Sequence, residues 1–216
     1  MAMIHMIIAD DHPVVVHGVC ARLAAAPGSR FVKVGHAANS DALLEMLGQH
    51  RCELLITDFC MPGSEQPDGL GMLGYIRRNH PDVRILLLTM VNHPGTLHAA
   101  LEMGVKGLLD KRGCLSELPK AALQVAHGRR FISRNFERLL ASHDVRGYTA
   151  CLATLSPREL EVVRLIARGA SGRDIAVQMN RSEKTVSRHK RSAMEKLGLE
   201  RGDQIREYAR VTGLMA

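Results

Sequence analysis

The sequence predicts an α/β protein: an N-terminal (βα)5 domain with a doubly wound parallel sheet, followed by a C-terminal all-α domain of four short helices. Its 216 residues are sufficient for two domains of ordinary size. In the first part, short apolar runs alternate strictly with helical patterns, which favours a parallel sheet covered by helices on both faces. From residue 155 onward only helical patterns remain.

Five runs of bulky aliphatic residues predict the strands of the first domain, and a helical pattern follows each of them. The predicted strands are 4–9, 31–37, 54–57, 84–89 and 107–109. The predicted helices are 14–25, 40–49, 69–79, 95–103 and about 117–127. Ser40 is the expected N-cap of the second helix, whereas Gly71 and Gly74 weaken the third by roughly 1 kcal/mol each relative to alanine.

The second domain opens with a pattern that is typical of a helix start. Ser156 is the expected N-cap, Pro157 takes the first helical position, and Glu159 stands at the capping-box position. Four helices are predicted, at about 157–168, 172–179, 183–197 and 203–210. Short helices joined by tight turns form a trihelical core with an appendage, which is a helix-turn-helix arrangement.

The formal charge of +7 is unevenly distributed between the two parts. Residues 1–127 hold 11 basic and 12 acidic side chains, which leaves 18 basic and 10 acidic side chains for residues 128–216. The basic part favours a nucleic acid partner, with a merely soluble basic face as the alternative. No aliphatic run is long enough for a membrane span and no signal-peptide pattern is present, so a cytoplasmic protein with no membrane partner is expected. The five cysteines lack CxxC spacing, which predicts neither a disulfide framework nor a zinc site.

Polar side chains follow four of the five predicted strands. Asp10 and Asp11 follow the first strand and Asp58 follows the third. Parallel strands open onto one crevice at their carboxyl ends, so these carboxylates are expected at one rim, where they suit Mg²⁺; as a single residue, Asp58 is equally compatible with a turn cap. Thr89 closes the fourth strand and Lys111 follows the fifth. A hydroxyl, an ammonium and a divalent cation are the groups that a carboxylate needs around it to accept a phosphoryl group.

This ordered set of motifs resembles the receiver domain of two-component response regulators over about residues 3–127. The resemblance rests on Asp10-Asp11-His12-Pro13, Asp58 with Met61-Pro62-Gly63, Thr89, and Gly107 to Lys111. It implies that Asp58 is the phosphoacceptor and that Mg²⁺ is held by Asp10, Asp11, Asp58 and the backbone carbonyl of Cys60. It further implies that Thr89 is the switch hydroxyl and that Lys111 contacts the phosphoryl group.

Three features depart from the usual pattern of that family. Leu108 stands where most members have an aromatic switch residue, and Met90 is larger than the small residue common at its place. The loop 63–68 is about three residues longer than usual, which costs little in closure entropy. In particular, a resemblance to regulators of the Rcs phosphorelay type rests on Met61-Pro62-Gly63 with this loop, Leu88-Thr89-Met90 and Leu118-Pro119-Lys120-Ala121.

Residues 128–151 are predicted to form a linker, because the strand and helix rhythm is lost there and arginines accumulate. A short helix within it is predicted at 135–142. Solvated linker charge is the simplest interpretation of the arginines, and contact with DNA phosphates is the alternative.

The third predicted helix of the second domain has two distinct faces. Val186, Ala193, Met194 and Leu197 fall in one arc of about 100°, whereas Lys184, Ser187, Arg188 and Arg191 fall on the opposite side. Over about residues 152–212, the predicted domain 152–216 resembles the LuxR-type helix-turn-helix of the NarL/FixJ class. The resemblance rests on Leu-Ser-Pro-Arg-Glu at 155–159, Ile175-Ala176, 182–186 and Lys196-Leu197-Gly198. That resemblance implies base contacts from Ser187, Arg188 and Arg191, phosphate contacts from Lys184 and Thr185, and dimerisation through the last helix.

The predicted function is therefore a phosphorylation-controlled transcriptional regulator that is not an enzyme. Its expected partners are double-stranded DNA, a histidine kinase or phosphotransfer protein, RNA polymerase, and a second copy or another LuxR-type regulator. Leu108 and Met90 keep open a regulator whose receiver domain ignores phosphate and serves for dimerisation or docking. A third alternative, an aspartyl-phosphate phosphatase, is disfavoured because Cys60 stands where that chemistry needs a second aspartate.

Overall fold

A computed structural model of the protein describes most of the chain as two compact units. The described residues are 3–61, 64, 66, 68–92, 94–113, 115–141, 155–197, 199, 202, 205, 206, 208 and 209. The first unit holds a parallel sheet with its helices and the second unit is helical, which confirms the predicted fold class. Within the described part of the chain, every helix is too short or too polar to cross a bilayer.

Six parallel strands form the sheet of the first unit, in the order β2-β1-β3-β4-β5-β6. The strands are β1 (Ile4–Ala9), β2 (Phe31–Ala37), β3 (Leu54–Thr57), β4 (Arg84–Thr89), β5 (Gly107–Asp110) and β6 (Phe131–Ile132). All four residues of β3 are buried, as expected for a strand covered on both faces. The register pairs Ala9 with Thr57 and Thr89 with Asp110, so the carboxyl ends of β1, β3, β4 and β5 form one rim.

In the part of the chain that the structure describes, six helices accompany the sheet, and the 3-10 turn Leu115–Glu117 precedes the fifth. They are α1 (Pro13–Ala24), α2 (Ser40–Gln49), α3 (Gly69–Asn79), α4 (Pro94–Glu102), α5 (Leu118–Ala126) and α6 (Arg134–Ala141). The α3 helix forms despite its internal glycines because Leu70, Met72, Leu73 and Ile76 are buried. Burial of this face outweighs a propensity cost of roughly 1 kcal/mol per glycine.

The N-cap of α2 and the start of the predicted linker differ from the sequence-based expectations. Asn39, not Ser40, caps α2, and its side chain accepts a hydrogen bond from the Ala42 N–H. Phe131–Ile132 forms a sixth strand on β5, held by the Phe131 N–H on the Lys106 carbonyl (2.9 Å). A strand of two residues is too short for any periodicity to reveal. The predicted linker therefore begins with sheet and helix, and its later part, 142–151, lies outside the described residues.

Among the described residues, three complete helices form the second unit, and each begins directly after a serine. They are α7 (Pro157–Ala167), α8 (Gly172–Gln178) and α9 (Glu183–Leu197). Complete capping boxes open α7 and α8, as predicted for Ser156 and Glu159. Asn180 adopts a left-handed conformation (φ 51°) in the turn before α9, which asparagine tolerates better than most residues. The predicted fourth helix is described only in part; its Ile205, Tyr208 and Ala209 are buried in the core of the unit.

Candidate functional site

The side chain of Lys111 joins two carboxylates at the rim of the sheet. Its Nζ lies 2.6 Å from Oδ2 of Asp58 and 2.6 Å from Oδ2 of Asp10. All three side chains are largely buried, with exposed fractions of 10% for Lys111, 13% for Asp58 and 2% for Asp10. The structure thus brings together three residues that are each 48 or more positions apart in the sequence.

The pKa of Lys111 is raised within this cluster. Burial alone disfavours the ammonium, but the hydrogen bonds and negative charges of Asp10 and Asp58 outweigh it. The second oxygen of Asp58, Oδ1, accepts a hydrogen bond from the Phe59 N–H at 2.6 Å. Both carboxylate oxygens of Asp58 therefore have partners: Oδ2 pairs with the Lys111 ammonium, and Oδ1 accepts a hydrogen bond from the backbone.

Asp11 and His12 lie beside Asp10 and complete a group with metal-binding potential. One ligand atom from each of Asp10, Asp11 and His12 falls within 4.8 Å of the others. His12 Nδ1 is 2.8 Å from Asp11 Oδ1, yet within the described part of the chain no hydrogen bond of good geometry satisfies that buried oxygen. The contact between His12 and Asp11 is thus a close approach without hydrogen-bond geometry, and the oxygen can accept another ligand. Sequence reasoning recognised His12 only as part of a motif, because its contact with the carboxylates follows from the turn into α1.

The remaining predicted receiver residues lie in or directly after the strands β3, β4 and β5. Thr89 is buried at the end of β4, and its carbonyl accepts the Lys111 N–H at 3.0 Å. Cys60 is buried two residues after Asp58. Leu108 is fully buried in β5, whereas the Met90 side chain is 50% exposed. Of the motif Met61-Pro62-Gly63, residues 62 and 63 lie outside the described residues, as does Cys114.

The long loop after β3 is tied to the start of α2. Ser64 Oγ accepts a hydrogen bond from the Ser40 N–H (2.9 Å), and Asp41 Oδ1 accepts one from the Gln66 N–H (3.0 Å). These bonds satisfy a free helix-terminal N–H and give the inserted residues a fixed attachment. The sequence predicted the insertion but not its docking, because the two segments are about 25 residues apart.

The α9 helix presents a basic surface on one side of the second unit. Lys184, Ser187, Arg188 and Arg191 are exposed, whereas Val186, Ala193 and Leu197 on the other side are buried. Thr185 is half-buried, and its hydroxyl lies 2.9 Å from the Ser182 hydroxyl at the helix start. Lys190 is half-buried, and its amine extends to Gly202, where an added Cβ would lie 2.8 Å from Nζ.

Glu159 fixes the orientation of α9 and has a role that sequence reasoning did not reveal. Its carboxylate accepts hydrogen bonds from the Ser156 N–H (2.7 Å), Ser192 Oγ (2.7 Å) and Lys196 Nζ (2.7 and 3.0 Å). Burial opposes its ionisation, but these hydrogen bonds prevail and lower its pKa to about 2. The capping box was visible in the sequence, whereas the contacts with Ser192 and Lys196 need the packing of α9 on α7.

Models of two protein families match this chain, one in each unit. The family described as response regulator receiver domain matches residues 6–123. The family described as bacterial regulatory proteins, luxR family, matches residues 153–209. Both matches agree with the separate resemblances that the motifs of the two domains indicate.

Similar proteins extend over nearly the whole chain. The chain is 38% identical over 208 residues to the transcriptional regulatory protein RcsB of Escherichia coli strain K12, covering 96% of this chain and 94% of that protein. Among solved structures, it is similar to two RcsB dimers bound to two parallel DNAs, with 37% identity, a TM-score of 0.63 and coverage of 97% and 98%. It is also similar to RcsB from Salmonella enterica serovar Typhimurium bound to promoter rprA in the presence of phosphomimetic BeF3⁻, with 38% identity, a TM-score of 0.65 and coverage of 95% and 98%.

Proposed function

The chain belongs to the RcsB-like response regulators, which join a receiver domain to a LuxR-type DNA-binding domain and regulate transcription, and on this premise we propose that phosphorylation of Asp58 controls its dimerisation and its binding to DNA. The observation that carries the proposal is the position of Lys111, whose ammonium lies 2.6 Å from both Asp58 and Asp10. A cation fixed beside a carboxylate is the preorganised charge that phosphoryl transfer to that carboxylate requires.

In the proposed reaction, an Asp58 oxygen attacks the phosphorus of a phosphohistidine on a histidine kinase or phosphotransfer protein. The new O–P bond forms as the N–P bond breaks, and the released imidazole takes up a proton. Lys111 neutralises charge on the phosphoryl oxygens, and the Thr89 hydroxyl is the proposed hydrogen-bond donor to one of them. Asp58 does not need an added base, because a carboxylate is already the nucleophilic form.

The donor set beside Asp58 fits a magnesium ion. Asp10, Asp11, Asp58 and the backbone carbonyl of Cys60 are the proposed ligands, and hard oxygen atoms are the donors that Mg²⁺ prefers. The buried Asp11 Oδ1, which lacks a well-formed hydrogen bond within the described residues, supports this assignment. When bound, Mg²⁺ would supply further positive charge that offsets the negative charge of the phosphoryl oxygens. With Mg²⁺ bound, its charge and that of Lys111 would balance the three carboxylates of Asp10, Asp11 and Asp58.

The proposed output is sequence-specific binding of double-stranded DNA by α9. Ser187, Arg188 and Arg191 are the proposed base-reading residues, and Lys184 and Thr185 are the proposed phosphate contacts. Four of these five side chains, all except Thr185, are exposed. Their exposure supports the assignment, since a recognition helix must present such groups to the major groove. Dimerisation through the last helix, pairing with another LuxR-type regulator and contact with RNA polymerase belong to the same proposal.

A second function is favoured by Leu108, which is fully buried and aliphatic. A receiver domain without an aromatic ring at this place lacks one familiar way to convert phosphorylation into a change of surface. The alternative is therefore a regulator whose receiver domain serves for dimerisation or docking irrespective of phosphate. It predicts equal dimerisation and equal DNA affinity with and without phosphorylation.

The test of the proposal is the intact mass of the full chain after incubation with acetyl phosphate, with and without Mg²⁺. We expect one added phosphoryl group on the wild-type protein in the presence of Mg²⁺ and none on Asp58→Asn. Asp11→Ala should lose the dependence on Mg²⁺ together with most of the rate. Asp82→Asn, which removes an exposed carboxylate of the same unit, is the matched control and should behave as wild type. Phosphorylation of Asp58→Asn to the wild-type level would contradict the assignment.

A further inference from the structure

Asp110 is a buried carboxylate directly before Lys111, and the proposed reaction gives it no role. It ends β5 and is only 4% exposed. Its Oδ1 accepts hydrogen bonds from the Arg112 N–H (2.9 Å) and Arg112 Nε (3.0 Å). Its Oδ2 accepts from Arg112 Nη2 (3.3 Å) and, more weakly, from Asn135 Nδ2 (3.4 Å). Buried charge is retained only where it is paired in this way.

These contacts fix the backbone on both sides of Lys111. Before it, Asp110 is held in the sheet; after it, the Arg112 N–H is bound to the Asp110 side chain and the Gly113 N–H donates to the Asp110 carbonyl (3.0 Å). The Lys111 N–H itself donates to the Thr89 carbonyl (3.0 Å). A lysine ammonium is carried on a flexible stem of four carbons, so a defined ammonium position depends on a fixed backbone at the lysine.

The side chains of Asp110 and Lys111 contact different residues. Successive residues at the end of a strand point to opposite faces, so the Asp110 carboxylate meets Arg112 while the Lys111 ammonium meets Asp10 and Asp58. Arg112 also neutralises Asp110, which removes a competing carboxylate for the Lys111 ammonium. Burial disfavours the charged form of Asp110, yet the hydrogen bonds and charge of Arg112 outweigh it and lower its pKa.

We propose that Asp110 is a positioning residue for Lys111, and that Arg112 and Asn135 hold it in place. Asn135 belongs to α6, so the same carboxylate attaches α6 to the end of β5 that carries Lys111. The proposal rests on the proposed phosphorylation of Asp58 and extends it by one layer of residues. Asp110 acts only through the ammonium that it places against Asp58, and it does not itself contact the phosphoryl group.

The first test is a double-mutant cycle on the rate of Asp58 phosphorylation by acetyl phosphate. In this transfer the carboxylate displaces acetate, so that one O–P bond forms as another breaks and no proton is consumed. Asp110→Asn should slow the reaction roughly tenfold, because small displacements of a reacting group have large effects on rate. Combined with Lys111→Ala, Asp110→Asn should cause no further slowing, since residues that act through one group are not additive.

A purely structural role gives a different pattern in this cycle. If Asp110→Asn slows the reaction by the same factor with and without Lys111, Asp110 acts through stability or through its own charge, and the proposal is wrong. Arg130→Ala removes an exposed arginine of the same unit and is the control that should leave the rate unchanged. Thermal unfolding of each variant verifies that it is folded at the assay temperature.

The second test does not depend on phosphorylation and therefore separates this proposal from the proposed function. A crystal structure of Asp110→Asn should show Lys111 Nζ withdrawn from Asp58 Oδ2, which it approaches to 2.6 Å in the wild-type chain. If Nζ remains within hydrogen-bond distance of both Asp10 and Asp58, the positioning role is overturned even though phosphorylation can still occur. If instead the wild-type protein accepts no phosphoryl group, the proposed function fails while the displaced ammonium still supports the positioning role.

Discussion

The hydrogen bonds of Glu159 predict a large and pH-dependent contribution to the stability of the DNA-binding unit. The carboxylate is 7% exposed and bridges α7 to Ser192 and Lys196 of α9. Its pKa falls from 4.5 to about 2 on folding. A shift of about 2.5 units corresponds to about 3 kcal/mol of stability at neutral pH, at about 1.4 kcal/mol per unit.

The sign of this effect follows from the direction of the pKa shift. A group whose pKa is lower in the folded state stabilises the protein fully above its unfolded pKa of 4.5. The contribution is lost as the pH falls from 4.5 towards 2, where the folded protein also binds the proton. Glu159→Gln should therefore destabilise the unit by about 3 kcal/mol at pH 7 and by progressively less below pH 4.5.

Hydrogen exchange followed by mass spectrometry measures this effect in the full chain. Peptides from α7 and α9 of wild type and Glu159→Gln are compared at the same pH, so that intrinsic exchange rates cancel. About 3 kcal/mol corresponds to exchange roughly 200-fold faster in the variant at pH 7 for amides that exchange by unfolding of the unit. Glu161→Gln is the matched control: its carboxylate is 43% exposed and pairs with Arg158 at the surface, so it should change stability by at most about 1 kcal/mol. A Glu159→Gln effect that is small at pH 7, or that is the same at pH 7 and pH 3, would refute the reasoning.

Three further predictions concern DNA readout, assembly and the attachment of α6. Arg188→Ala or Arg191→Ala should weaken binding to the cognate duplex by about 1 to 3 kcal/mol more than binding to random duplex. Lys184→Ala should weaken binding to both duplexes alike and reduce the slope of log affinity against log salt concentration by about one. Equal losses on both duplexes for all three variants, in titrations at several salt concentrations, would exclude base readout. Phosphorylation of Asp58 should shift the monomer–dimer equilibrium in sedimentation experiments, and identical dimer constants would favour the phosphate-independent function. Phe136→Ala, which empties a fully buried site in α6, should cost about 3 to 5 kcal/mol in chemical unfolding, and a loss below about 1 kcal/mol would show that α6 is not packed on the sheet.

Local patterns predicted most of the elements because the responsible interactions are close in sequence. The bounds of β1 to β4, α2, α3 and α9 agree with the structure, since aliphatic runs and helical periodicity report directly on burial. The Ser156 capping box was predicted for the same reason, as it joins residues only three positions apart. The strand β6 was missed because two residues carry no pattern and its identity comes from pairing with β5.

The candidate site divides in a similar way. The sequence by itself determined that Asp10, Asp11, Asp58, Thr89 and Lys111 end strands, and a parallel sheet brings strand ends to one rim irrespective of the exact packing. It also determined which side chains of 183–197 share a face, because helical geometry fixes that spacing.

Only the tertiary structure decided which of these groups contact one another. The 2.6 Å approaches of Lys111 to Asp58 and Asp10, the pairing of Asp110 with Arg112 and Asn135, and the bonds from Glu159 to α9 depend on rotamers and on the packing of distant segments. Side chains far apart in sequence meet at distances set by the whole core, and hydrogen bonds tolerate errors of only a few tenths of an ångström. For that reason the sequence determined the residues available to the site, and the folded chain determined their partners.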